Sequence, residues 1–148
     1  MTNSTQLSRL GLFDAKVPRY TSYPTAAHFS VGVAPEGFRE WINSIPEDGD
    51  ISLYLHVPFC RRLCWFCACR TQGTSSLAPV EAYVDMLTKE LELLREALPR
   101  GIRLSRLHWG GGTPTLLSPE LIKKLNDSVR EVADFKESYE FSVEIDPK

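Results

Sequence analysis

The sequence predicts an α/β fold ordered strand, helix, strand, helix, strand, and three observations carry that expectation. Three runs rich in β-formers, "ISLYLHVPF", "IRLSRLHW" and "YEFSVEIDP", recur between residues 51 and 147. The two stretches between them place apolar residues at helical spacing instead of alternating them. The residues with the most distinctive chemistry each follow the end of a strand, where parallel sheets collect their functional groups. A βαβαβ series of this kind implies parallel strands joined by right-handed crossovers.

Residues 1–48 read as an N-terminal arm and 49–148 as the α/β part. The arm holds "VPRYTSYPTAAHF", with Pro18 and Pro24 among aromatics, and one short helix candidate, "PEGFREWINSI". Pro35 suits that helix's first turn, and "PEDGD" supplies turn residues after it. "ISLYLHVPF" reads as a buried first strand. In "PVEAYVDMLTKELELLREAL", residues Val80, Tyr83, Val84, Leu87, Leu91, Leu94 and Leu98 form a single apolar stripe. "IRLSRLHW" is the second strand and runs straight into "GGGTPT". The second helix is "SPELIKKLNDSVREVADF", with Ser118 as N-cap, Pro119 at the first helical position and Glu120 facing the positive end of the dipole. "YEFSVEIDP" is the third strand. The chain stops at "FSVEIDPK", where a connection should begin, so it reads as one piece of a longer protein.

Composition narrows the classes of function. With 148 residues, 43% hydrophobic and 24% charged, the chain can build one modest soluble domain. A net charge of −2 points away from nucleic acid and from a membrane surface, and no apolar run is long enough to span a bilayer. "MTNSTQLSRLGLFDAK" has no apolar core or cleavage site of a secretory signal, so a cytoplasmic location is expected, with its thiols reduced.

All four cysteines fall within "HVPFCRRLCWFCACRTQG", at Cys60, Cys64, Cys67 and Cys69. A disulfide scaffold conflicts with a reducing compartment. Tetrahedral zinc usually uses two separated CxxC pairs, whereas C-x3-C-x2-C-x-C crowds four thiolates together. A thioredoxin-like Cys64–Cys67 pair would want a helix N-terminus beside it, and the helix begins about a dozen residues later. An iron–sulfur cluster is the reading the spacing favours, since three close cysteines can hold three irons of a 4Fe-4S cube and leave the fourth open. A small structural zinc module stays as the alternative from another class.

CxxxCxxC directly after a β-strand, followed by a βαβ series, resembles the radical S-adenosylmethionine superfamily. Within it, "SLYLHVPFCRRLCWFCAC", "LHWGGGTPT", "SVEIDP" and the arm's "PRYTSYPTA" look like the oxygen-independent coproporphyrinogen III oxidase family (coproporphyrinogen dehydrogenases). The resemblance covers nearly the whole chain with four motifs in order. It implies a partial (β/α)6 TIM-like barrel of which this chain holds the N-terminal fragment, inactive alone. The implied activity is an oxidoreductase reaction, conversion of coproporphyrinogen III to protoporphyrinogen IX in haem biosynthesis without oxygen. The implied cofactors are a 4Fe-4S cluster on Cys60, Cys64 and Cys67, and S-adenosylmethionine on its open iron. Carried over by motif, Tyr54, Phe66, Gly111, Gly112, Thr113 and Glu144 are the residues beside S-adenosylmethionine. The implied partners are the porphyrinogen and an electron donor for the cluster, with a monomeric state. No residue is assigned to catalysis. Cys69 is kept as a functional residue without a role; it favours the oxidase branch over a haem chaperone of the same superfamily, which usually has an aromatic there.

The remaining side chains have ordinary structural readings. Tyr54, taken without its motif, is a buried strand aromatic. His56 and His108 lie on apolar strands and read as satisfied core histidines, and His28 as a loop residue. Trp65 and Trp109 read as packing around the site. Arg61, Arg62 and Arg70 bracket the cysteine loop as a solvated basic surface; pairing with a porphyrinogen propionate is their alternative, shared by Arg19.

Overall fold

A computed structural model describes residues 6–11, 28–30, 32, 34–64 and 71–146. The chain forms two compact units, Met1–Ala34 and Pro35–Lys148. In the first, α1 (Gln6–Arg9) is a single helical turn. The second holds α2 (Pro35–Asn43), β1 (Asp50–Val57), β2 (Phe59–Cys60), β3 (Gln72–Gly73), α3 (Ala78–Ala97), β4 (Arg103–Gly111), a 3-10 turn at Pro114–Leu116, α4 (Pro119–Val132) and β5 (Asp134–Val143). The main sheet has the order β1-β4-β5 with both pairs parallel, so the expected βαβαβ series is present.

The helix stripes explain where the core lies. Val80, Val84, Leu87 and Leu91 of α3 are buried, as are Leu125, Val129 and Val132 of α4. They pack on Leu55 and Val57 of β1 and on Leu104, Leu107 and Trp109 of β4. Tyr83, Leu94 and Leu98 complete the stripe as half-buried neighbours. The two helices are also tied by Lys124 Nζ and Asp85 at 2.6 Å. Ser118 caps α4 by accepting from the Leu121 N–H at 3.3 Å, and Pro119 and Glu120 occupy the first turn as the sequence indicated.

Side-chain alternation along β4 is broken once, and the break matters. Ile51 pairs with Leu104 and Ser52 with Arg106, so Ser105 is an extra residue whose hydroxyl donates to the Ile51 carbonyl at 3.0 Å. Beyond this β-bulge the parity changes. Leu107 and Trp109 then share the helix-facing side with Leu104, while Arg106, His108 and Gly110 face away from it. The same irregularity affects β5, where Phe135 opposes Leu104 but Glu140 opposes Arg106.

Element boundaries differ most from the sequence reading around the α4–β5 junction and at the end of β1. The helix expected through Phe135 ends at Val132, and the strand expected from Tyr139 begins at Asp134. Ala133 is already extended, and Phe135 joins the ladder opposite Leu104 with the Arg130 guanidinium 5.2 Å over its ring. Sheet pairing overrides the helical pattern of "REVADF" at that point. The first strand stops at Val57, before Pro58, which has no N–H to extend a ladder. Among the described residues, no helix is long and apolar enough to cross a membrane.

Candidate functional site at the ends of the parallel strands

The cysteine loop is closed at its base by backbone pairing. Phe59 and Cys60 lie parallel to Gln72 and Gly73, and the Gln72 and Thr74 N–H groups donate to the Pro58 and Cys60 carbonyls at 2.7 and 2.9 Å. Cys60 is half-buried at that base and Cys64 is exposed; neither is in a disulfide. Phe66, Cys67 and Cys69 lie outside the described residues, as do Trp65 and Arg70.

The glycine loop docks directly on this base. Gly112 N–H donates to the Val57 carbonyl at 2.7 Å and Thr113 N–H to the Phe59 carbonyl at 2.8 Å. The Thr113 hydroxyl lies 3.5 Å from Cys60 Sγ. A Cβ on Gly112 would come within 2.6 Å of the Phe59 carbonyl oxygen and 3.0 Å of Cys60 Sγ, so only glycine allows this approach. Gly111 has φ +111° and faces the His56 ring, a conformation that side chains rarely adopt.

Glu144, just past β5, closes the third side. Its carboxylate accepts from the Gly111 N–H at 2.9 Å, and its own N–H donates to the Trp109 carbonyl at 2.9 Å. His108 Nε2 lies 3.5 Å from the same carboxylate, and His108 Nδ1 is 2.6 Å from Ser142 Oγ. Tyr54 stacks on His108 at 5.4 Å with 13° between the rings, and its hydroxyl is 3.0 Å from His56 Nδ1. The three strand-end signals therefore meet on one edge of the sheet.

Several ordinary readings change on this geometry. Tyr54 is 52% exposed, because it lies on the face of β1 turned away from the helices. His56 and His108 are half-buried on that polar face and are not core residues. Trp109, expected to pack around the site, lies instead in the core on the helix-facing side of β4, and its indole N–H has no partner among the described residues. Tyr83 reaches from α3 to donate to the His56 carbonyl at 2.6 Å, and burial holds its phenol above the ordinary range and neutral. Ser142, Gly110 and Tyr83 escaped sequence reasoning. The roles of Ser142 and Gly110 depend on cross-strand register and that of Tyr83 on helix-to-sheet packing, which no local motif encodes.

The described part of the site offers donor types suited to an iron–sulfur cluster and to a ligand with an ammonium group. Thiols rise from a loop whose backbone is already paired, a side-chain-free cradle lies against Cys60 Sγ, and a carboxylate stands beside it. Among the described residues, no three metal-binding side chains come together, and the third cysteine of the motif lies outside them. Arg61 and Arg62 are exposed on the loop.

A parallel α/β sheet with thiols, glycines and a carboxylate at its strand ends belongs to the class of folds that bind ligands beyond the strand ends. Comparison with known proteins narrows that class. The chain is 63% identical over 147 residues to an oxygen-independent coproporphyrinogen III oxidase of Cereibacter sphaeroides, covering 99% of this chain and 33% of that protein. It is 42% identical over 131 residues to the protein of that name in Escherichia coli, covering 88% of this chain and 28% of the relative. The solved structure of the Escherichia coli coproporphyrinogen III oxidase, described as a radical SAM enzyme, matches with a TM-score of 0.79 and 38% identity over 94% of this chain and 31% of its own. The resemblance read from the motifs thus extends over nearly the whole chain, which spans about a third of the length of these relatives. No protein-family model matches the chain.

Proposed function

We propose that this chain supplies the cluster-binding and cofactor-binding portion of a radical S-adenosylmethionine coproporphyrinogen III oxidase. The observation that carries the reading is the meeting of Cys60 Sγ, the Gly111–Thr113 loop and the Glu144 carboxylate on one sheet edge. Cys60, Cys64 and Cys67 would hold a 4Fe-4S cluster, and Tyr54, Phe66, Gly111, Gly112, Thr113 and Glu144 would line S-adenosylmethionine. Held there, those two groups would supply hydrogen-abstracting radical chemistry.

This chain's own residues bind and orient. The glycine loop brings backbone groups close to a ligand and fixes the base of the cysteine loop through Val57 and Phe59. Glu144 offers a carboxylate for an ammonium group or a ribose hydroxyl. Tyr54 presents an exposed aromatic face beside it. The whole protein's reaction would convert two propionate side chains of coproporphyrinogen III to vinyl groups, releasing carbon dioxide and giving protoporphyrinogen IX for haem synthesis. An electron donor for the cluster, an acceptor for the last electron, a monomeric state and a cytoplasmic location belong to the same reading.

Anaerobic reconstitution with iron and sulfide is the test. About four irons per chain are expected, falling to near zero in Cys60→Ala, Cys64→Ala and Cys67→Ala but retained in Cys69→Ala. One tightly held zinc and no cluster would overturn the reading.

A further inference from the structure

We propose that His108 is a positioning residue for Glu144, with Ser142 selecting the tautomer through which it acts; this rests on reading Glu144 as a cofactor-facing carboxylate. The ladder sets His108 between two neighbours, opposite Tyr54 on β1 and opposite Ser142 on β5. Ser142 Oγ lies 2.6 Å from Nδ1, and we assign the hydroxyl as the donor in this pair, which puts the ring proton on Nε2. Nε2 lies 3.5 Å from Glu144 Oε1, while Oε2 accepts from the Gly111 N–H at 2.9 Å. Each carboxylate oxygen thus has a fixed neighbour and keeps a lone pair for a ligand.

Gly110 shows that this convergence depends on open space. A Cβ there would lie 2.8 Å from His108 Nε2, 2.9 Å from the Tyr54 ring and 3.0 Å from Glu144 Oε1. Three side chains, from β1, from β4 and from the residue just past β5, close over one residue that has none. The Tyr54 ring, stacked within 13° of the imidazole, keeps His108 from turning away. A carboxylate already held in place gives up less freedom when it binds a ligand, so affinity is gained through preorganisation.

The test uses the anaerobically reconstituted holoprotein, with iron content, denaturation midpoint and equilibrium affinity for S-adenosylmethionine measured on each variant. His108→Ala should keep its cluster and its midpoint but bind S-adenosylmethionine about tenfold more weakly, as loss of a supporting partner typically does. His108→Gln, whose amide N–H can reach the same carboxylate, should recover most of the affinity. Ser142→Ala should weaken binding about threefold by releasing the tautomer. Affinity in His108→Ala within about twofold of wild type, or no rescue by His108→Gln, would overturn the inference. Wild-type protein that carries a full cluster yet binds no S-adenosylmethionine would overturn the site reading beneath it, and the inference with it.

Discussion

Gly110 and Gly112 stand two residues apart, and alanine at each meets different atoms. At Gly112 the new Cβ meets the Phe59 carbonyl oxygen at 2.6 Å, a backbone atom already fixed by the Thr113 N–H. Relief requires moving the strand end and the cysteine-loop base together. Gly112→Ala should therefore cost about 1–3 kcal/mol in chemical denaturation and lower the iron content. At Gly110 the contacts are side-chain atoms of His108, Tyr54 and Glu144, which can turn aside. Gly110→Ala should leave iron content near wild type yet weaken S-adenosylmethionine binding about tenfold or more, measured by equilibrium binding. Equal loss of iron in both variants would contradict this division. The glycine motif and Glu144 were legible in the sequence because strand-end residues collect on one side of any parallel sheet. The His108–Ser142 contact was not, since it joins residues 34 positions apart through a register the sequence does not display.

That register is an element-scale property, set by the bulge at Ser105. Plain alternation from Leu104 would have put Arg106 and His108 against the helices, and Leu107 and Trp109 on the site face. One extra residue reverses this, and its own hydroxyl anchors it to Ile51. The helix stripes were readable because burial of one face repeats over several turns. The end of α4 was not, because pairing of Phe135 with Leu104 is a tertiary contact. At the opposite end of the sheet, Asp50 joins all three strands. It lies 3.2 Å from Arg103 on β4 and bonds Lys136 on β5. The Lys136 bond foremost, with Arg103 alongside, holds its carboxyl below the ordinary range, and the Lys124 bond does the same for Asp85 between the helices. Because both folded-state values are depressed, the stabilisation is present above the unfolded carboxylate value of about 3.9 and is lost as pH falls through the lower folded values. Denaturation midpoints should therefore drop on acidification below about pH 4, with a shallower slope in Asp50→Asn. An unchanged slope in that variant would remove Asp50 from the account. In the core the effect is larger. Leu125 is fully buried, and Leu125→Ala should lower stability by about 2–5 kcal/mol without changing which ligands bind.

Across the molecule, burial is uneven. One face of β1 and β4 is covered by α3 and α4, whereas most of β5 is exposed on both faces. Ile145 is 64% exposed, and Phe141, 53% exposed, meets edge-on a buried Trp109 whose indole N–H has no partner among the described residues. β5 pairs with β4 alone among the described residues, so its outer edge presents unpaired backbone groups next to apolar side chains. Such an edge is a template for another strand. Net charge is only −2, too little to keep copies apart by repulsion. As a separate 148-residue polypeptide, the chain should therefore associate as concentration rises, seen as a growing weight-average mass in sedimentation. Introducing Phe141→Lys and Ile145→Lys places charge on the exposed edge at little cost to the core, since both side chains are more than half exposed. The double variant should sediment as a monomer at concentrations where the parent chain associates, with its circular dichroism unchanged. Association that persists undiminished in the folded double variant would locate the sticky surface elsewhere, with the groove of about 680 Å³ between α2 and α3, lined by Phe38, Leu93 and Leu94, the next to be blocked.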